Sequence, residues 1–108
     1  MSNTNGFKDV QKYLDNKAIV VDVRTKSEYI EGHLEHTLHI VLDELKGEIS
    51  QLKSLQKPII TCCRSGARSE IAKNLLKEND IDVINGGPWE SVEYFVKNGG
   101  INGDSTRP

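Results

Sequence analysis

PIITCCRSGARSEIAKNLLKEN, residues 58–79, changes its periodicity part-way along. The apolar run that begins at Pro58 and reaches Cys62 reads as a buried strand. Over 69–79, Ile71, Ala72, Leu75 and Leu76 fall on one face of a helix. Between them lies a short turn-prone stretch carrying Arg64, Ser65, Gly66, Ala67 and Arg68. A strand that feeds a tight loop and then a helix is the first half of a strand–helix–strand crossover.

The same alternation extends both ways. AIVVDV (18–23), TLHIV (37–41) and IDVIN (81–85) are strand candidates, and GGP (86–88) is expected to turn the chain. Phe7, Val10 and Leu14 predict a helix over 7–16. About one helical turn follows Arg24 and ends at Gly32. A helix capped by Asp43 carries Leu45, Ile49, Leu52 and Leu55, and one from Trp89 ends before Gly99-Gly100. This pattern predicts an α/β fold: a small, mostly parallel central sheet of about four to five strands, with helices on both faces. Ligands of such sheets gather at the carboxyl ends of strands, where the two cysteines lie.

The chain has 108 residues and is expected to be one domain, with its core over about 7–98 and a loose tail over 99–108. Fourteen basic and sixteen acidic residues leave a net charge of −2, no broad footprint for nucleic acid or an anionic membrane. MSNTNGFKDV lacks an apolar signal-like stretch and no run approaches a membrane span, so the expected compartment is the cytoplasm. Adjacent cysteines there point to reactivity rather than to a strained disulfide between neighbours.

A thiol at a strand end, followed by a loop that enters a helix, can be wrapped by backbone N–H groups and the helix's positive end. Both favour a thiolate and would hold an oxyanion delivered to it. Gly66 permits the curl, Arg64 and Arg68 add positive charge to attract an anion, and Ser69 is the expected helix cap.

With these residues in place, the chain resembles a rhodanese-like single-domain sulfurtransferase. VVDVRTKSEYIEGHL (20–34) is similar to the family's strand-end D-V-R with its following E-Y and G-H-I. PIITCCRSGARS (58–69) is similar to the active loop C-x-S-G-x-R-S, and INGG (84–87) to the glycine pair after the next strand. The resemblance implies a thiosulfate sulfurtransferase in which Cys63 becomes a persulfide, cradled by Arg64, Ser65, Gly66, Ala67 and Arg68. Ser69, Asp22, Arg24 and Glu28 would support the site. It implies a small anionic sulfur donor, a cyanide or thiol acceptor (a sulfur-accepting protein among them), and neither cofactor nor metal. Cys62 would be packed against the sheet or act as a resolving thiol. Asp22 and Glu28, as carboxylates near a strand end, read as arginine partners rather than as a general acid–base pair.

The chain departs from the family at His36-Thr37-Leu38-His39-Ile40-Val41 and at Pro88-Trp89, and NTNGF offers no clear first strand. Three other readings compete. Counting C-x5-R from Cys62 to Arg68 resembles cysteine-dependent phosphatases and arsenate reductases, although Thr61 stands where the phosphatase motif has His. His33, His36 and His39 could hold a metal. A rhodanese fold could also serve as a non-catalytic binding module.

Overall fold

In a computed structural model, the backbone is described over residues 3–105 and side chains over 9–98. Four strands form one sheet in the order β2-β1-β3-β4: β1 Ile19–Asp22, β2 Leu38–His39, β3 Ile59–Cys63 and β4 Val83–Pro88. Every neighbouring pair is parallel, with Val21 opposite Leu38, Ile19 opposite Ile59, and Ile59 opposite Val83. Among the described residues no strand precedes β1; the NTNGF stretch starts helix α1, Asn3–Asp15.

β3 is central and all five of its residues are buried, as a strand covered on both faces must be. One face packs Val21, Val23, Ile59 and Cys63 against Leu45 and Leu52 of α3 (Leu45–Ser54) and Ala72 and Leu76 of α4 (Ala67–Glu78). The other packs Val20, Ile60 and Cys62 against Val10 of α1 and Val92 of α5 (Trp89–Ser105). The short α2, Lys26–Glu31, follows β1 and stops at Gly32, whose N–H donates to the Tyr29 carbonyl.

Several local expectations are corrected by packing. Gly86-Gly87-Pro88 extends β4 instead of turning the chain, because Gly86 lies against Ile60, Val92 and the Thr61 carbonyl where a side chain would not fit. Asp43 caps nothing: it lies in a 3-10 turn, Leu42–Glu44, that leads directly into α3. Gly66, not Ser69, is the N-cap of α4. The α5 backbone stays helical through Gly99-Gly100 to Ser105, so the helix does not stop at the glycine pair. Side chains of Phe7 and 99–108, and the backbone of 106–108, lie outside the described residues.

Two glycines separate close packing from backbone freedom. A Cβ on Gly86 would sit 2.6 Å from Ile60 Cγ2, 2.7 Å from Val92 Cγ2 and 3.0 Å from the Thr61 carbonyl oxygen, whereas one on Gly47 in α3 would meet nothing within 4 Å. Gly86→Ala is expected to cost about 1–3 kcal/mol. Gly47→Ala should gain about 0.5–1 kcal/mol from the exposed helix. Urea unfolding midpoints of the two variants, moving in opposite directions, check both.

Candidate active site

The loop that leaves β3 closes around one sulfur. Gly66 takes a left-handed φ of 105°, which glycine tolerates, and its N–H donates to Cys63 Sγ at 3.0 Å. The Ser69 N–H, in the first turn of α4, reaches the same sulfur at 3.4 Å, and Ser69 Oγ lies 3.3 Å from it. Cys63 is fully buried at 0% exposure. That burial pushes its thiol pKa up. Hydrogen bonds from the Ser69 hydroxyl and from the Ser69, Gly66 and Ser65 N–H groups more than reverse this, so the thiol lies below its ordinary range.

The twin thiol has the opposite setting. Successive strand side chains point to opposite faces, so Cys62 enters the cluster with Val10, Val20 and Val92, across the sheet from the loop. Burial, followed by the nearby Asp22 charge, raises its pKa strongly. Both cysteines are free, but only Cys63 lies inside the cradle.

Asp22 and Arg24 form a buried pair at the end of β1. Asp22 is 0% exposed, and its Oδ2 accepts from Arg24 Nη2 at 2.8 Å while Oδ1 accepts the Arg24 N–H and Nε–H, each at 3.0 Å. The remaining guanidinium donors reach the Glu28 carbonyl at 3.1 Å and the Gly32 carbonyl at 2.7 Å. The guanidinium also lies 4.9 Å from the Trp89 ring centroid. Arg24 thus ties β1 to α2 and to the start of α5.

Glu28 does two jobs. With Thr25 it forms a capping box, the Thr25 N–H donating to Glu28 Oε1 at 2.9 Å and the Glu28 N–H to Thr25 Oγ1 at 3.3 Å. It also clamps Arg68 through bonds of 2.7 and 3.0 Å. The Thr25-x-x-Glu28 spacing is a signature visible in the sequence; the clamp on Arg68, forty residues away, is not. Arg68 is therefore engaged and does not stand free to attract an anion. Among the described residues Arg64 is the one arginine of the site without a hydrogen bond or ion pair. It is exposed, and it lines a groove of about 380 Å³ with Arg24, Glu28, Glu31, Trp89 and Glu90. Ser65 and Ala67 are exposed beside it.

The histidines do not converge. Tyr29 is sandwiched between His33 and His39, with ring centroids 3.8 and 4.1 Å away. His33 bonds the Tyr29 carbonyl and His39 the Arg24 carbonyl through ring nitrogens, while His36 is exposed. No group of three or more His, Cys, Asp or Glu among the described residues could hold a metal ion. Nor, among those residues, is any helix long and apolar enough to cross a membrane.

Residues 7–103 match the rhodanese-like domain family. The chain belongs to that family. It is 31% identical over 88 residues to the adenylyltransferase and sulfurtransferase UBA4 of Vanderwaltozyma polyspora, covering 69% of this chain and 20% of that protein. It is 34% identical over 93 residues to the tRNA uridine(34) hydroxylase of Wigglesworthia glossinidia brevipalpis, covering 79% and 30%. The chain thus spans less than a third of either relative's length. In structure it is similar to a rhodanese-like domain protein from Staphylococcus aureus, with a TM-score of 0.61, 25% identity, and coverage of 77% of this chain and 86% of that one. The rhodanese-like fold, four parallel strands flanked by helices, is the one the sequence predicts.

Two charge pairs generate predictions. Arg24→Ala would leave the Asp22 carboxylate buried and unpaired, at an expected cost of about 3–5 kcal/mol in urea unfolding. Hydrogen bonds from Arg68, then from the Thr25 N–H and hydroxyl, lower the Glu28 pKa from 4.5 to about 2. A carboxylate with a depressed folded pKa stabilises the fold fully above its unfolded value and loses that contribution as pH falls through the folded one. The stability difference between wild type and Glu28→Gln is expected to be greatest above pH 4.5 and to shrink toward pH 2. Denaturation midpoints across that window check the sign.

Proposed function

We propose that this rhodanese-like chain is a sulfurtransferase in which Cys63 carries the sulfane sulfur. The observation that carries the reading is the convergence of the Gly66 N–H, the Ser69 N–H and the Ser69 hydroxyl on one sulfur. Donors that favour a thiolate also suit a persulfide anion at the same place. Sulfurtransferase stands in the name of the relative from Vanderwaltozyma polyspora, which agrees.

With thiosulfate as donor, the Cys63 thiolate attacks the outer sulfur. The sulfur–sulfur bond of thiosulfate breaks, sulfite leaves with the bonding pair, and Cys63 becomes a persulfide anion. Cyanide or an acceptor thiolate then attacks the terminal sulfur, forming thiocyanate or a new persulfide and returning the Cys63 thiolate. Atoms and electrons balance with no added oxidant, metal or cofactor. Arg64, exposed at the groove, is the arginine left to meet a small anionic donor, while Arg68 and Glu28 hold the loop's far end. Because Cys63 is sealed, the donor must part the rim at Arg64 and Ser65 before sulfur meets sulfur. A sulfur-accepting protein would approach the same rim, and a free-thiol cycle suits the cytoplasm.

The phosphatase reading needs a loop opened by Cys62, whose side chain belongs to the opposite face of the sheet. Thiosulfate and cyanide, followed by thiocyanate release, test the proposal together with intact-mass and peptide mapping for one added sulfur. Cys63→Ser is expected to lose both the sulfur and at least about a thousandfold in rate. Cys62→Ala should keep both, since alanine leaves no unpaired hydroxyl in that apolar cluster. Aryl phosphate hydrolysis that depends on Cys62 would install the phosphatase reading instead. Absence of sulfur loading and turnover in the wild type would leave a binding module.

A further inference from the structure

Asn85, on β4, has all four hydrogen-bonding positions of its amide filled, and two of them are taken by Gly66 and Ser69 of the Cys63 cradle. Its Oδ1 accepts the Ser69 hydroxyl at 2.7 Å and the Gly87 N–H at 2.8 Å. Its Nδ2 donates to the Gly66 carbonyl and to Glu70 Oε1, each at 3.0 Å. Flipping the amide would set a donor against the Gly87 N–H and an oxygen against the Gly66 carbonyl and Glu70 carboxylate, so these partners fix which end is the acceptor. The side chain therefore grips the N-cap, the first turn of α4 and the glycine pair at once.

The consequence runs through Ser69. Its hydroxyl has one proton and two neighbours that can take it, Asn85 Oδ1 at 2.7 Å and Cys63 Sγ at 3.3 Å. While the proton points at Asn85, the Ser69 oxygen faces Cys63 as an acceptor, which matches a neutral S–H. When Cys63 is ionised, the hydroxyl can turn to donate to the sulfur. Asn85 Oδ1 then keeps the Gly87 N–H, so neither group is orphaned. Among the described residues no buried side-chain polar atom lacks a partner.

We propose that Asn85 is a positioning residue that, by competing for the single proton of Ser69, sets whether that hydroxyl meets Cys63 as acceptor or as donor. It holds the resting thiol and releases the hydroxyl to the anion that carries sulfur. This inference rests on Cys63 being the sulfur carrier only for its purpose; the hydrogen-bond competition itself is independent of any turnover. Among the described residues, the other charged or titratable groups near this arrangement are Arg64, exposed at the rim beside Cys63; Arg68 of α4, neutralised by Glu28 of α2; Cys62 next along β3; and Glu70, held by Lys73 and by Asn85 itself.

The test reads the titration of Cys63 by ultraviolet thiolate absorbance in the Cys62→Ala background, where it is the one thiol. It needs neither donor nor acceptor, so a null result in sulfur transfer and a null result here are separate outcomes. Asn85→Asp gives up the donors to the Gly66 carbonyl and Glu70 but strengthens the competing acceptor, and is expected to raise the Cys63 midpoint by about one unit or more. In a Ser69→Ala background the same substitution should move it by less than half as much, because the shared proton is gone. Asn85→Ala removes the competitor and is expected to leave the midpoint at or below that of the parent. Near-ultraviolet circular dichroism confirms that each variant is folded; should Asn85→Asp not fold, Asn85→Ala decides alone. An upward shift in Asn85→Ala, or equal shifts of Asn85→Asp with and without Ser69, would overturn the proposal.

Discussion

The buried Asp22–Arg24 pair is the constraint from which the geometry of the site descends. A carboxylate with no solvent exposure must be matched, and Arg24 matches it while its other donors hold the carbonyls of Glu28 and Gly32. That fixes α2 at the carboxyl end of β1. Glu28 is then placed to cap α2 and to reach across to Arg68, which belongs to α4. Since α4 begins where the Cys63 loop ends, the ion pair at one strand end steadies the cradle at the next. Replacing such a pair by apolar residues could be neutral for stability; here the pair also aims three elements, which an apolar substitute would not.

The two thiols show how a one-residue step changes chemistry without changing composition. Cys62 and Cys63 are both fully covered, so burial disfavours either thiolate. What separates them is the supply of donors. Strand alternation turns Cys62 into an aliphatic cluster and Cys63 toward the N–H groups of Gly66 and Ser69. The difference between a thiol whose pKa is raised and one whose pKa is lowered is thus written in the pleat of β3.

β4 contributes more than a strand. Gly86 lets the chain pass against Ile60 and Val92, and Asn85 just before it reaches the loop with its amide. The glycine pair therefore works as close-packed backbone rather than as a turn. Local composition points the other way, because Gly-Gly-Pro ordinarily interrupts a strand, and tertiary contact overrides it.

The alternation of apolar runs and amphipathic helices was enough to determine a parallel α/β layer, since periods of two and 3.6 are local properties of the chain. The strand–loop–helix context of Cys63 was legible for the same reason. The caps at Asp43 and Ser69 were not, because a side chain able to cap does so only where the backbone enters the helix, and that point is set by packing. Arg68 reads in the sequence as a free charge, and only the fold brings Glu28 to it from forty residues away. Asn85 stands in INGG beside the glycine pair with no role that the motif assigns; its amide acquires partners on Gly66, Ser69 and Glu70 only when β3 and β4 pair and α4 folds back across them. Sequence determined the elements and the strand–loop–helix setting of Cys63 because each is built from neighbours, while the partners that aim the loop are distant along the chain and were decided by how those elements pack.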